Sequence, residues 1–254
     1  MPPHFSPYYH DLTFMAPLSE ERASNLSEFV ARNVRGTVVD AGCGWAELLI
    51  RVLENEPSVK GLGIDLDADA VAHGQALAQE RGVADRLSLI AGDVKTHLPE
   101  TANAVLCVGS SQIWGPPVEA KLPLDYRSAL SALRALLKPG SPAVYGEGIW
   151  VAEPTQEAIE PLAGRTDEFV FLPDLLDIVR DCGFVVVRVH HATLYEWDEF
   201  ESGYAARYAR WLAEHPREHA DAASVRARMV AQSNAYFRGY RGILGMAYLE
   251  LLAS

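Results

Sequence analysis

Three aspartates and two glycines carry the first chemical signal in this sequence. Asp40 follows the apolar run Thr37-Val38-Val39 and precedes Ala41-Gly42-Cys43-Gly44. Gly42 and Gly44 fall where a backbone can turn sharply and approach a ligand closely, since neither has a Cβ. Asp65 lies 21 residues beyond Gly44. A carboxylate about twenty residues past a glycine turn is where dinucleotide folds grip ribose hydroxyls. Asp93 follows Gly92 at the end of a third apolar run, where an adenine amino group can be bound. Asp40 is the informative member. A pyrophosphate gains nothing from a carboxylate, whereas a ligand ending in an ammonium group does. The set describes a ligand with adenine, ribose and a cationic amino-acid end.

These residues act together only if the chain delivers them to one edge of a sheet. Apolar runs at 37–41, 59–64, 87–91, 104–108 and 142–146 read as strands. Helical patterns at about 46–55, 68–81 and 125–138 fall between them, with Gly82 and Pro139-Gly140 as stops. Strand and helix in alternation predict a parallel sheet with helices on both faces. In such a sheet the ligand lies at the carboxyl ends of the strands, at the switch point. Asp40, Asp65, Asp93, Ser110 and Glu147 all fall at those ends.

A helix at 173–182, a sixth strand at 184–192 and a seventh at 243–252 complete the pattern. Residues 197–239 break the alternation. Trp197, Phe200, Tyr204, Tyr208 and Trp211 recur at helical spacing, a stripe more often used for packing than for a pocket, and Pro216 interrupts it. The expected fold is α/β: a Rossmann-like, seven-stranded, mostly parallel sheet with helices on both faces and a helical cap inserted between the last two strands. The expected division is an N-terminal lid segment and helix at 1–35, a core at 36–196, the cap at 197–240 and a final core strand at 241–254. Residues 1–18 are rich in proline and aromatics, with no regular element until Ser19 caps a helix.

Composition narrows the partners. Lys plus Arg number 22 against 34 Asp plus Glu, a net charge of −12, and such a surface repels nucleic-acid backbones. Cys43, Cys107 and Cys182 are scattered and odd in number, which suits reduced thiols in a cytoplasm. The N-terminus lacks a basic region followed by an apolar run, and no stretch reads as a membrane span. The expected location is therefore cytoplasmic, with no membrane or nucleic-acid partner and with the oligomeric state open.

Asp40-Ala41-Gly42-Cys43-Gly44 resembles the first motif of the class I S-adenosylmethionine-dependent methyltransferases. Asp65 and Asp93 resemble their second and third motifs, and Val105 to Gly109 their fourth, so the likeness runs through about residues 36–148. The resemblance implies S-adenosylmethionine as cofactor and S-adenosylhomocysteine as product. It implies that Asp40, Gly42 and Gly44 cradle the methionine end, that Asp65 and Leu66 meet the ribose, and that Asp93 and Val94 flank the adenine. Val108 and Gly109 then close the site from the fourth strand. One departure is Ala46 in place of a third glycine, expected only to tighten the turn. No Asn/Asp-Pro-Pro-Tyr follows the fourth strand, against an adenine or amide N-methylating enzyme. The region beyond 150 is similar to a bacterial branch of small-molecule methyltransferases.

A sulfonium methyl is already activated, so the protein must chiefly align the acceptor and exclude water, with at most one base. Glu147 is the first candidate for acceptor binding or base. His10, beside Tyr8 and Tyr9, is the second if the N-terminal segment folds over as a lid. Tyr9, Gln112, Trp114 and Trp150 are candidate acceptor contacts, the two tryptophans being equally compatible with core. His190-His191 lack companions for a metal site, so no metal is expected. Arg226, Arg228, Arg238 and Arg241 read as a solvated helix face. Three rivals remain. A dehydrogenase would need a glycine where Glu47 stands and would leave Asp40 and Asp93 unexplained. A non-catalytic S-adenosylmethionine-binding module and a methyltransferase acting on protein or RNA are the others.

Overall fold

The computed structural model describes residues 3–254. A 3-10 turn at Tyr8–His10 breaks the irregular N-terminal segment, and Ser19 caps α1 (Glu20–Asn33) by accepting from the Arg22 backbone N–H. There follow β1 (Thr37–Ala41), α2 (Glu47–Asn55), β2 (Lys60–Asp65), α3 (Ala68–Glu80), β3 (Leu87–Ala91), the short α4 (Val94–His97) and β4 (Ala104–Val108). Next come α5 (Tyr126–Ala135), β5 (Pro142–Trp150), α6 (Gln156–Ile159), α7 (Leu172–Asp181) and β6 (Phe184–His191). Helices α8 (Leu194–Glu214) and α9 (Ala222–Asn234) and a π-helical turn (Ala235–Tyr240) lead into β7 (Leu244–Ala253).

The seven strands form one sheet in the order β3-β2-β1-β4-β5-β7-β6. All pairings are parallel except those of β7, which runs antiparallel to β5 and β6. The chain steps outward from β1 to β2 and β3, then returns to lay β4 on the other side of β1. That reversal opens a crevice at the carboxyl ends of β1 and β4.

Alternation along the central strands feeds two cores. Val38 packs beneath α1 and α2 with Leu26 and Leu49, while its neighbour Val39 joins Val105 and Leu130 beneath α5. Every residue of β5 is buried, as is most of β1 and β4, which is why these segments read as unbroken apolar runs. Asp40, next to last in β1, and Glu147, within the second half of β5, are buried carboxylates, at 5% and 6% exposure.

Two boundaries differ from expectation. Strand β5 continues to Trp150 instead of ending near Glu147, because β7 pairs with its full length, Pro142 opposite Leu252 through Trp150 opposite Leu244. Gly146 and Gly148 look like breakers, yet the Tyr248 and Phe169 rings occupy the space their side chains would take. Helix α8 starts at Leu194, three residues early, on a capping box: Thr193 accepts from the Glu196 N–H and Glu196 accepts from the Thr193 N–H.

The helices between β6 and β7 grip the N-terminal segment. Tyr8 stacks on Tyr204, and its hydroxyl donates to the Tyr204 hydroxyl at 2.9 Å. The Arg207 guanidinium lies 4.1 Å from the Tyr8 ring centre and 4.9 Å from that of Tyr208. Glu196 receives both the Nε and Nη2 of Arg22 at 2.9 Å, joining α8 to α1. No helix among the described residues is long and apolar enough to cross a membrane.

Candidate active site

Strand β1 brings Asp40 to the crevice and then turns at once. Gly42 takes φ +76°, and Gly42 and Cys43 both donate their N–H to the Ile64 carbonyl, at 2.9 and 3.1 Å. A side chain at Gly42 would collide with Ser110. Gly44 takes φ +55° with open space around it, and its N–H donates to Asp65 Oδ2 at 2.7 Å. Asp65 Oδ1 accepts from the Asp67 N–H at 2.9 Å. The β2 carboxylate therefore fixes the β1 turn as well as facing the crevice. Ala46 also adopts φ +59°. It does more than tighten the turn: it holds a left-handed conformation that a glycine would take without strain.

Asp40 has no hydrogen-bond donor among the described residues, and burial followed by the charge of Asp65 pushes its carboxyl up to about 8. A buried carboxylate without a partner is costly unless a cation or donor arrives. Asp40, Gly42, Gly44, Asp65, Val108 and Gly109 line a cavity of about 240 Å³ together with Phe14, Met15, Ala16 and Leu18. No lysine or arginine lines it.

A second cavity, of about 490 Å³, continues past Gly42, Asp65 and Ser110. Leu66, 75% exposed, and Val94 line it with Asp93. Asp93 caps α4, one oxygen accepting from the Lys95 N–H at 2.9 Å. Thus β1, β2 and β3 deliver the three sequence-predicted aspartates to one continuous trough.

Glu147 ends up on a third cavity, of about 470 Å³, between the loop after β4, the end of β5 and the 161–169 loop. Its Oε2 accepts from the Ser111 N–H at 3.0 Å and its Oε1 from the Gly148 N–H at 2.9 Å. Burial raises its pKa, and those N–H donors oppose the rise. Gln112 lines all three cavities and so stands where they meet.

Four candidates lie elsewhere. Tyr9 stacks face to face on His73 of α3 at 3.7 Å, and the exposed His10 beside it lines none of the three cavities. The lid surface is instead made by Phe14 to Leu18, anchored where Trp45 Nε1 donates to the Thr13 carbonyl at 2.8 Å. Trp114 packs half-buried on the core beneath α5. Trp150 is 1% exposed, lies edge-on to Phe169 and donates Nε1 to the Thr166 carbonyl at 2.7 Å, so it is core. Residues 197–240 line none of the three cavities; they brace the segment that does. Ser111 is the site residue that sequence reasoning missed; Ser110 was placed at a strand end, and 14–18 lies in the expected lid segment but was not singled out within it. The only local hint for 14–18 was aromatic content.

A parallel sheet in this order, an acid at the end of β1, a glycine turn and two further carboxylates at the next strand ends define a nucleoside-binding transferase fold. A family model described as a methyltransferase domain matches residues 39–142. The S-adenosylmethionine-dependent methyltransferase of Geobacter sulfurreducens, solved with S-adenosyl-L-homocysteine, is 27% identical with a TM-score of 0.82, over 98% of this chain and 99% of that one. The uncharacterized protein YjhP of Escherichia coli K12 is 28% identical over 240 residues, 93% of this chain and 92% of its own. The phenazine O-methyltransferase PhzM of Lysobacter antibioticus is 30% identical over 101 residues, 40% of this chain and 29% of its own. This chain is a class I S-adenosylmethionine-dependent methyltransferase.

Proposed function

We propose that this enzyme methylates a small molecule, held in the third cavity with its nucleophile at Gln112. When bound, S-adenosylmethionine supplies an electrophilic methyl group. The observation that carries the reading is the junction: a trough suited to the cofactor meets a separate chamber at Gln112, which borders all three cavities, and along Gly115 to Val118, which the second and third share. In this reading Asp40 takes the ammonium of the methionine end, Asp65 and Leu66 meet the ribose, and Asp93 and Val94 flank the adenine. Gly42, Gly44, Val108 and Gly109 let the backbone approach closely. Glu147 works on the acceptor side. Residues 36–196 and 241–254 form the cofactor-binding core, and the N-terminal segment, braced by the helical insertion, excludes water from it.

An acceptor in a chamber of about 470 Å³ is of ordinary metabolite size, within the roughly 300–1,000 Å³ common for ligand pockets. One relative that matches part of the chain, the phenazine O-methyltransferase, bears a small-molecule name. The test is transfer of label from methyl-tritiated S-adenosylmethionine to a metabolite extract, to total protein and to RNA. Label recovered in small molecules is expected. Label confined to protein or RNA would refute the reading, and no transfer to any fraction would leave a binding module.

A further inference from the structure

The chamber beyond Gln112 has a chemical character of its own. Its walls are largely apolar, with Pro116, Leu122, Leu162 and Phe169 prominent. Its polar groups are mainly carboxylates. Glu147 is 6% exposed at one end. Glu168, half-buried, accepts from the Ala163 N–H through Oε2 at 2.7 Å, and its Oε1 has no donor among the described residues. Asp125 is spent on capping α5, its two oxygens accepting from the Ser128 N–H and hydroxyl. Lys121 is the one cation among the lining residues, and the charge of Arg165, followed by that of Lys121, acts on Glu168. Arg165, nearby, is held by Asp167.

We infer, resting on the methyl-transfer reading above, that the acceptor is an amine with an apolar body, bound as an ammonium between Glu147 and Glu168 in the chamber beyond Gln112. Three carboxylates against one lysine repel a carboxylate- or phosphate-bearing acceptor. A neutral hydroxyl has one proton to donate, whereas an ammonium can donate to both glutamates in charge-assisted bonds. The apolar walls take the rest of the molecule.

The step balances without a further reactant. The ammonium gives one proton to the Glu147 carboxylate. The freed nitrogen lone pair forms the N–C bond to the methyl as the C–S bond breaks, its electron pair going to sulfur. The products are an N-methylammonium and S-adenosylhomocysteine, and Glu147 returns its proton to water. Burial makes Glu147 a better proton acceptor than an ordinary carboxylate.

The experiment is calorimetric titration of three near-isosteric probes into protein saturated with S-adenosylhomocysteine: 2-naphthylethylamine, 2-naphthylethanol and 2-naphthylacetate. The amine is expected to bind at least about tenfold more tightly than either of the others. Glu168→Gln and Glu147→Gln should each remove most of that preference while the affinity for S-adenosylhomocysteine stays within about twofold, which also reports that each variant folds. Equal or tighter binding of the alcohol or the acetate, no binding of the amine, or a preference that survives in the double variant would each overturn the amine assignment. Failure of S-adenosylhomocysteine itself to bind would overturn the methyl-transfer reading first, and is seen before any probe is added.

Discussion

Asp40 and Glu147 are buried to the same degree on strands separated only by β4, yet they are treated in opposite ways. Both carboxyls are pushed up by burial. Glu147 is compensated by its own fold, through the N–H groups of Ser111 and Gly148. Asp40 receives no donor and faces the charge of Asp65. The difference separates a carboxylate that the fold positions in advance from one whose compensation must come from a ligand. It also divides the crevice: the β1 side is built for a cation it meets on binding, the β5 side is already set.

The largest expected effect joins the two sides. Gly42→Ala forces a left-handed alanine against Ser110, which disturbs the β1 turn and the loop after β4 together. Thermal or urea unfolding should show a loss of about 2–4 kcal/mol, from the left-handed strain plus overpacking. Asp40→Asn comes next and tests the β1 side alone. The dissociation constant for S-adenosylhomocysteine should rise about 100-fold, the scale of one charged hydrogen bond lost in a dry site, while the melting temperature should not fall. A destabilised but still tightly binding variant would reverse the comparison.

The same residue sets a pH dependence. Its folded-state pKa, about 8, lies above the ordinary value of 3.8. The stability it contributes is therefore full below about pH 4 and is lost as pH rises through 8. Stability of the ligand-free enzyme should fall across that window more steeply than that of Asp40→Asn. Near pH 7, binding of S-adenosylhomocysteine should release about one proton, read from calorimetry in buffers of different ionisation enthalpy.

Glu147→Gln tests the β5 side. A glutamine can accept only through its one oxygen, so one of the two backbone N–H groups loses its acceptor. Unfolding free energy should fall by about 1–3 kcal/mol, in contrast to Asp40→Asn. Gly44→Ala is the smallest. Like Gly42 it has a positive φ, but a side chain there meets nothing within 4 Å, so its stability loss should be confined to about 1–2 kcal/mol of backbone strain.

Much of the β1 side was legible in the sequence. A β-branched run, an acid, a glycine turn and a helix are local signals, and the carboxylates of β2 and β3 follow at spacings the alternation sets. The acceptor side was less so. Glu147 was found from its strand end, but His10, Tyr9, Trp114 and Trp150 were placed by residue type, and an aromatic ring suits a pocket wall and a core equally well. The full length of β5 was not legible because the rings packed over its glycines, Tyr248 and Phe169, come from distant parts of the chain.

The sequence by itself determined the order of strands and helices, the turn after β1 and the three acids at strand ends, because periodicity and glycine conformation act between near neighbours. Only the tertiary structure decided which carboxylate is left without a donor, that Phe14 to Leu18 rather than Tyr9 and His10 cover the crevice, and that three cavities meet at Gln112. Those outcomes depend on packing between segments far apart in the chain, where desolvation and the supply of hydrogen-bond donors are set by the whole fold.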